Sequence, residues 1–320
     1  MHAITQTAAG ADLIWREAPQ PEPGPGQLLV RVRAAGVNRA DLVQAAGQYP
    51  PPAGESEILG LEVAGEVAAI GDGVAGFTIG DKVFGLVAGG GYAEYCLLDA
   101  RLAVPQPAGL GDEQAASLPE TWLTAWLNLV DIGQVRPGQR VLIHAGASGV
   151  GAAAIQLAHA LGARVAATVG GPDKCAWCRE LGAELAIDYH CEDFVGAIKS
   201  WGGADLILDT VGGDYLPRNQ ACLNRDGTIV LIGLLRGSEA QANLGVLLVK
   251  RQRLIGSTLR ALLVERKAAL SSALWPWLLP RLAADKIRLT LDRCFVMPEA
   301  AQAHAWLAGG HNKGKVVLLG

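Results

Sequence analysis

The stretch VLIHAGASGVGAAAIQLAHALGARVAATVGG, Val141 to Gly171, decides the fold. A short apolar run from Arg140 to His144 reads as a buried strand. It passes directly into a glycine-rich turn, Gly146-Ala147-Ser148-Gly149-Val150-Gly151, which opens a helix over Val150–Leu161. A second strand follows at Arg164–Val169. Strand, glycine turn, helix and strand in that order form a dinucleotide-binding unit, in which the helix N-terminus faces the pyrophosphate. Gly146 takes the place of the tight-turn glycine and Gly151 that of the glycine that lets helix and strand pack closely. Ser148 stands at the second position, beside Gly149 and Val150. Its hydroxyl either bonds a pyrophosphate or reaches toward a nicotinamide, or the position simply needs a small residue.

Outward from this unit, strands and helices alternate. Helices are expected at Cys175–Leu181, Asp193–Ser200 and Leu216–Leu223. Strands are expected at Glu184–Tyr189, Ala204–Asp209 and Thr228–Ile232. That rhythm predicts a doubly wound parallel sheet, an α/β architecture. The first hundred residues differ: short strands at Leu28–Arg33, Leu61–Ile70, Lys82–Val87 and Tyr92–Leu98 suggest a small mixed β barrel or sandwich. After residue 256 the pattern reads as irregular until the closing strand Lys315–Leu319.

Half of the 320 residues are hydrophobic and 18% are charged, too apolar for a disordered chain. The 41 glycines show no collagen-like period. A net charge of −4 without a long basic run offers nothing to nucleic acid or an anionic membrane surface. No basic region followed by an apolar block opens the chain, and six scattered cysteines suit reduced thiols. A cytoplasmic location is expected.

The end of the second strand discriminates between the nicotinamide cofactors. An NAD site places an acid about 20 residues after the glycine turn. This chain has Thr168-Val169-Gly170-Gly171-Pro172-Asp173-Lys174. Gly170 and Gly171 leave room for a 2′-phosphate and Lys174 supplies positive charge, so NADPH is expected over NADH. Asp173 is read as a cap of the next helix. Cys175 and Cys178, three apart on that helix, with His190-Cys191, form a possible metal set; packing is the simpler account.

Seven stretches, AAGVNRADLVQAAGQYPPP, LGLEVAGEV, GDKVFGL, VLIHAGASGVG, LILDTVGGDY, LIGLLRG and HNKGKVVL, together resemble the zinc-independent quinone oxidoreductases of the medium-chain dehydrogenase/reductase superfamily. The p53-inducible branch is the nearer likeness and zeta-crystallin a more distant one. The resemblance implies a discontinuous GroES-like catalytic domain, residues 1–119 and 257–320, with a Rossmann cofactor domain, residues 120–256, inserted. Where zinc-dependent relatives carry a cysteine and a histidine, this chain has Asn38 and Leu61, and zinc needs three protein ligands in a catalytic site. No metal is expected.

The same resemblance places Asn38, Tyr49 and Thr124 by the cofactor. Asn38 is a donor to a substrate carbonyl or a loop anchor. Tyr49 is a proton donor, as in related enoyl reductases, or a surface aromatic on a proline loop. Thr124 holds the nicotinamide or packs a helix. Tyr189 would stack near the adenosine phosphate; Gly233, Leu234, Thr258 and Leu259 would wall the nicotinamide amide; Asn312 and Lys313 would contact the cofactor from the last turn. His144 and Asp209 read as structural. Three functions remain in view: NADPH-dependent reduction of a quinone, reduction of an activated alkene (enone or enoyl thioester) with Tyr49 as donor, and a cofactor-loaded sensor with little turnover. A homodimer paired through sheet edges near residues 245–260 is expected.

Overall fold

The structure is a computed structural model describing all 320 residues. The strands β1 (His2–Thr5) and β2 (Ile14–Glu17) pair as an antiparallel ribbon. Next come β3 (Gln27–Val37), α1 (Arg39–Ala45), β4 (Glu62–Ile70), β5 (Lys82–Leu86), β6 (Tyr95–Asp99), β7 (Ala103–Pro105) and α2 (Asp112–Ala115). Helix α3 (Pro119–Trp126) continues as a π-helical turn at Leu127–Ile132.

The alternating region follows: β8 (Arg140–His144), α4 (Gly149–Ala160), β9 (Arg164–Val169), α5 (Pro172–Glu180), β10 (Leu185–Asp188), α6 (Phe194–Trp201), β11 (Ala204–Asp209), α7 (Tyr215–Cys222), β12 (Leu223–Leu231), α8 (Leu244–Lys250) and β13 (Arg253–Gly256). The chain ends with α9 (Val264–Ala283), β14 (Leu291–Val296), α10 (Ala300–Ala308) and β15 (Lys315–Leu319). It forms two compact units. The first holds Met1–Leu123, Arg260–Leu282 and Leu289–Gly320; the second holds Thr124–Leu259 and Ala283–Arg288.

In the first unit a mixed sheet runs in the order β14-β15-β3-β4-β5-β7, with β6 also on β3. β3 is long enough to serve three partners, and its residues Leu28, Val30 and Val32 face a core shared with Val63, Val83 and Leu318. The period-2 alternation of β3, buried at Val30 and Val32 and exposed at Arg31 and Arg33, marks one wet face. This is the GroES-like mixed β domain.

The second unit is a wholly parallel six-stranded sheet in the order β10-β9-β8-β11-β12-β13, the Rossmann-like domain. Strand order reverses between β8 and β11, the topological switch point at which such sheets open a ligand crevice at their C-terminal ends. The strands are covered on both faces, so Val141, Leu142 and Ile143 have no accessible surface. Helix α4 presents alanines and Ile155, all buried, to the sheet.

The region after residue 256 is not irregular, as its sequence suggests, but carries the longest helix of the chain. Pro276 and Pro280 within α9 read as breakers. Leu270, Leu274 and Leu278, spaced by four and buried together with Trp275, hold the helix against that penalty. Elsewhere the sequence reading left β1, β2, α1, β7, α2 and α8 unassigned. The elements it did assign differ at boundaries: β12 starts five residues early, and α5 begins at Pro172. Its N-cap is Gly171, with Asp173 in the first turn rather than capping.

Candidate functional site

The glycine turn sits where β8 meets α4, at the switch point. Ser148 is the N-cap of α4, and its Oγ accepts a hydrogen bond from the Gly151 N–H at 3.0 Å. The Ala152 N–H goes to the Ser148 carbonyl. The N–H groups of Gly149 and Val150 therefore remain the unpaired donors of the first turn, the arrangement that favours a phosphate. A Cβ at Gly151 would lie 2.3 Å from the Ala145 carbonyl oxygen, so only glycine lets the helix approach the strand this closely. The sharp bend falls one residue earlier than the motif suggests. Ala145, not Gly146, has positive φ, at 52°. Gly146 is needed for space instead, since a Cβ there would meet Ala167 Cβ at 2.8 Å.

At the end of β9, Gly171 has a φ of 95° and leads into α5, whose first turn carries Lys174. A Cβ on Gly170 would come within 2.8 Å of both the Tyr189 hydroxyl and His190 Nε2. The space beside Gly170 thus holds these two rings, whose centroids lie 4.6 Å apart, and Tyr189 is 46% exposed. An acid does occur here, but on the next strand. Asp188 Oδ1 accepts from the backbone N–H groups of Gly171 and His190, which hold its carboxyl below the usual range. Cys175 and Cys178 are both buried on α5, where burial pushes the Cys178 thiol up to about 12.

Beyond the switch point, Asp209 closes β11 by accepting from Val211 N–H and Gly212 N–H. Its second oxygen accepts from Asn219 Nδ2, and Asn219 Oδ1 faces His144 Nε2 at 2.8 Å. His144 must therefore carry its proton on Nε2, leaving Nδ1 to accept from Thr168 Oγ1. Burial lowers the His144 pKa, so the ladder is neutral at the imidazole. Thr210 follows Asp209, and its buried Oγ1 has no hydrogen-bond partner. The sequence reading missed Thr210, which no motif singles out. Gly233 lies against it, with a hypothetical Cβ 2.7 Å from the Thr210 carbonyl oxygen. Leu234 is exposed, Thr258 exposed and Leu259 buried at the end of this unit. Thr124 opens the unit, its carbonyl accepting from Asn128 Nδ2.

The first unit holds Asn38, Tyr49, Asn312 and Lys313. Asn38 has no free polar atom. Its Nδ2 donates to Glu62 Oε1 at 2.9 Å and to the Gly36 carbonyl, and its Oδ1 accepts from Lys315 Nζ at 2.5 Å. Lys315 also forms an ion pair with Glu62, and the two side chains are 3% and 0% exposed. Glu62 Oε2 takes the Glu120 N–H at the start of α3. Asp41, wholly buried, accepts from the N–H groups of Asn38 and Gly60 and from the Tyr92 hydroxyl, which also meets His304 Nε2. Burial raises Asp41 to about 6 and lowers His304 to about 4. None of this Glu62–Lys315–Asp41 network was singled out from the sequence.

Tyr49 is half-buried on its proline loop, with no hydrogen bond to its hydroxyl. The guanidinium of Arg260 stands 5.4 Å from its ring centroid and donates to the Tyr49 and Ala88 carbonyls. Asn312 is buried with Nδ2 on the Gly314 carbonyl, and the Lys313 N–H donates to Asp292.

The residues present do not fit zinc. Leu61 is apolar, Asn38 is engaged at every polar atom, and Glu62 already carries the Lys315 ammonium. No group of three His, Cys, Asp or Glu side chains is placed to hold a metal ion. They do fit a dinucleotide: two unpaired N–H groups at a helix start, the close approach enforced by Gly151, and an orphaned Thr210 hydroxyl all lie at the strand ends of the switch point.

Fold and site define a two-domain dehydrogenase. The alcohol dehydrogenase GroES-like domain family matches residues 24–108, and the zinc-binding dehydrogenase family matches residues 149–277. A quinone oxidoreductase of Pseudomonas aeruginosa is 35% identical over 319 residues, covering 96% of this chain and 95% of that protein. The chain belongs to the zinc-independent quinone oxidoreductase branch of the medium-chain dehydrogenase/reductase superfamily. A phthioceranic/hydroxyphthioceranic acid synthase of Mycobacterium tuberculosis is 36% identical over 307 residues, 92% of this chain, which spans only 14% of the synthase's length.

Among solved structures, a mycobacterial protein complexed with NADPH superposes with a TM-score of 0.91 at 32% identity over the whole of both chains. The quinone oxidoreductase of Thermus thermophilus, also solved with NADPH, gives 0.85 at 33% over both whole chains. The CurK enoyl reductase gives 0.87 at 28%, covering 99% of this chain and 98% of that one.

Proposed function

We propose that this protein reduces quinones with NADPH, without a metal. The observation that carries the reading is the phosphate-ready start of α4 in a chain whose positions for zinc donors hold Asn38 and Leu61. Full-length similarity to quinone oxidoreductases, two of its solved relatives holding NADPH, supports it. Bound here, a reduced nicotinamide would supply the reducing equivalents from C4. Gly149, Val150 and Ser148 would meet the pyrophosphate, with Gly146 and Gly151 giving the space. Lys174 and the Gly170–Gly171 turn would meet the 2′-phosphate and Tyr189 the adenosine side. Gly233, Leu234, Thr258, Leu259, Thr124, Asn312 and Lys313 would complete the cofactor set. Asn38, with its amide fully engaged, anchors its loop in this reading. The test is NADPH oxidation at 340 nm with ortho- and para-quinones; activity with quinones and none with simple alcohols is expected, and no NADPH binding by fluorescence refutes it.

A second reading, reduction of an enone or enoyl thioester, is favoured by the free Tyr49 hydroxyl together with similarity to a phthioceranic/hydroxyphthioceranic acid synthase and to an enoyl reductase. Here Tyr49 gives the proton. Tyr49→Phe should lower alkene reduction by about 10²-fold, the usual worth of a positioned acid, with a smaller effect on quinones. We further propose membership of the p53-inducible branch, a cytoplasmic location and a homodimer. The last is supported by the unpaired edge of β13 and the outward Leu244, Leu248 and Val249 of neighbouring α8.

A further inference from the structure

Arg260 sits in the turn that leads into α9, 5% exposed, and makes no ion pair. All its side-chain hydrogen bonds run to backbone oxygens. Nε and Nη2 converge on the Ala88 carbonyl at 2.9 and 2.6 Å, and Nη1 reaches the Tyr49 carbonyl at 3.4 Å. The guanidinium carbon also stands over the Tyr49 ring, 5.4 Å from its centroid. One side chain thus grips Tyr49 at both backbone and ring.

The other anchor is firm. The Gly90 N–H donates to the Ile58 carbonyl at 2.7 Å, and a Cβ at Gly89 would lie 2.4 Å from the Ser56 carbonyl oxygen. The turn that begins at Ala88 therefore lies directly on the far end of the loop that carries Tyr49. Arg260 is itself held in place, its carbonyl accepting from the Nζ of Lys267 on α9 at 2.7 Å. Burying a guanidinium with no carboxylate is costly, and packing a turn does not require one.

We propose that Arg260 is the positioning residue for Tyr49: its planar fork ties the loop between two carbonyls, and its charge over the ring receives the phenolate left when Tyr49 gives up its proton. The inference rests on the reading in which Tyr49 is the proton donor. In that step the Tyr49 O–H bond breaks and its electron pair stays on the phenolate oxygen. The substrate carbon left carrying the electron pair after hydride addition gains the C–H bond, and solvent later returns a proton to the phenolate.

Arginine suits both tasks. Its donors lie in one plane and serve two carbonyls at once, whereas a lysine ammonium is a point charge. A cation is drawn modestly to the face of a neutral phenol and more strongly to a phenolate, which carries a full negative charge. The directions agree: burial, then the charge of Glu120, raises the Tyr49 pKa, and Arg260 lowers it.

Two measurements test this. The first needs no turnover: NMR titration of the protein carrying labelled tyrosine Cζ, with the Tyr49 signal assigned through Tyr49→Phe among five tyrosines. Arg260→Gln should shift the Tyr49 midpoint upward; an unchanged or lower midpoint overturns the proposal. The second is a double-mutant cycle in kcat with NADPH and an enone. Arg260→Lys, which keeps a cation but not the fork, should lower kcat at least about tenfold. In the Tyr49→Phe background the same substitution should change kcat by less than about twofold. An equal loss in both backgrounds makes Arg260 merely structural and overturns the proposal too. If Tyr49→Phe alone leaves alkene reduction unchanged, it is the reading of Tyr49 as donor that fails, and the titration by itself decides whether Arg260 acts on the phenol.

Discussion

The ammonium of Lys315, on the last strand, rests on the carboxylate of Glu62, on β4, with both side chains almost wholly out of water. The Lys315 Nζ also bonds Asn38, so one buried cation ties β15, β4 and the approach to α1 together. A pair of this kind is vulnerable to losing one member, because the survivor is left charged and desolvated.

Lys315→Met should therefore destabilise the protein by about 3–5 kcal/mol, and adding Glu62→Gln should restore a substantial part. Urea unfolding of the two single variants and the double variant checks this. A double variant as unstable as the sum of the singles contradicts the coupling.

Gly151→Ala places a methyl group 2.3 Å from a backbone oxygen, where no side chain can yield. The helix must move off the strand, taking the Gly149 and Val150 N–H groups with it. A loss of NADPH affinity of tenfold or more is expected in a fluorescence titration, together with a lower melting temperature.

His304 is buried and neutral, with its pKa lowered to about 4 by burial from an ordinary value of 6.5. The unfolded chain thus binds the proton first as pH falls. Stability from this residue is present above pH 6.5 and is lost progressively down to about pH 4, in total about 3 kcal/mol. His304→Gln should remove that slope: the stability difference between wild type and variant should shrink steadily with acidification across this window. Parallel pH–stability curves would rule the assignment out.

Leu248, 79% exposed on α8, should carry the proposed self-association. Leu248→Glu is expected to convert a dimer to a monomer in sedimentation velocity while leaving the melting curve of the dilute protein nearly unchanged.

Much of the second unit was legible because its signals are local. Buried parallel strands read as continuous apolar runs, and β8, β9 and β11 begin and end where the sequence places them. Pairing across the chain is what sequence conceals. Nothing near Lys315 points to Glu62, more than 200 positions away, and nothing near His304 points to Tyr92. The segment of α9 read as irregular, yet it is a helix: the two prolines within it disfavour one locally, and its buried leucine row overrides them. At the site, Gly146 and Gly151 were readable as motif positions, yet the division of labour between Ala145 and Gly146 depends on φ, which residue type does not announce. Thr210 was invisible for a similar reason: an unsatisfied hydroxyl is defined by its neighbours.

For redesign of the chain, Ala145 is the position at which the phosphate turn has slack. An L-residue held at φ 52° bears about 1 kcal/mol of steric cost that glycine does not. Ala145→Gly should thus cost little or nothing in thermal tolerance, whereas neighbouring Gly146, hemmed in by Ala167, accepts no larger residue. Two adjacent positions in one turn would then obey opposite rules of substitution, one set by torsion and the other by volume.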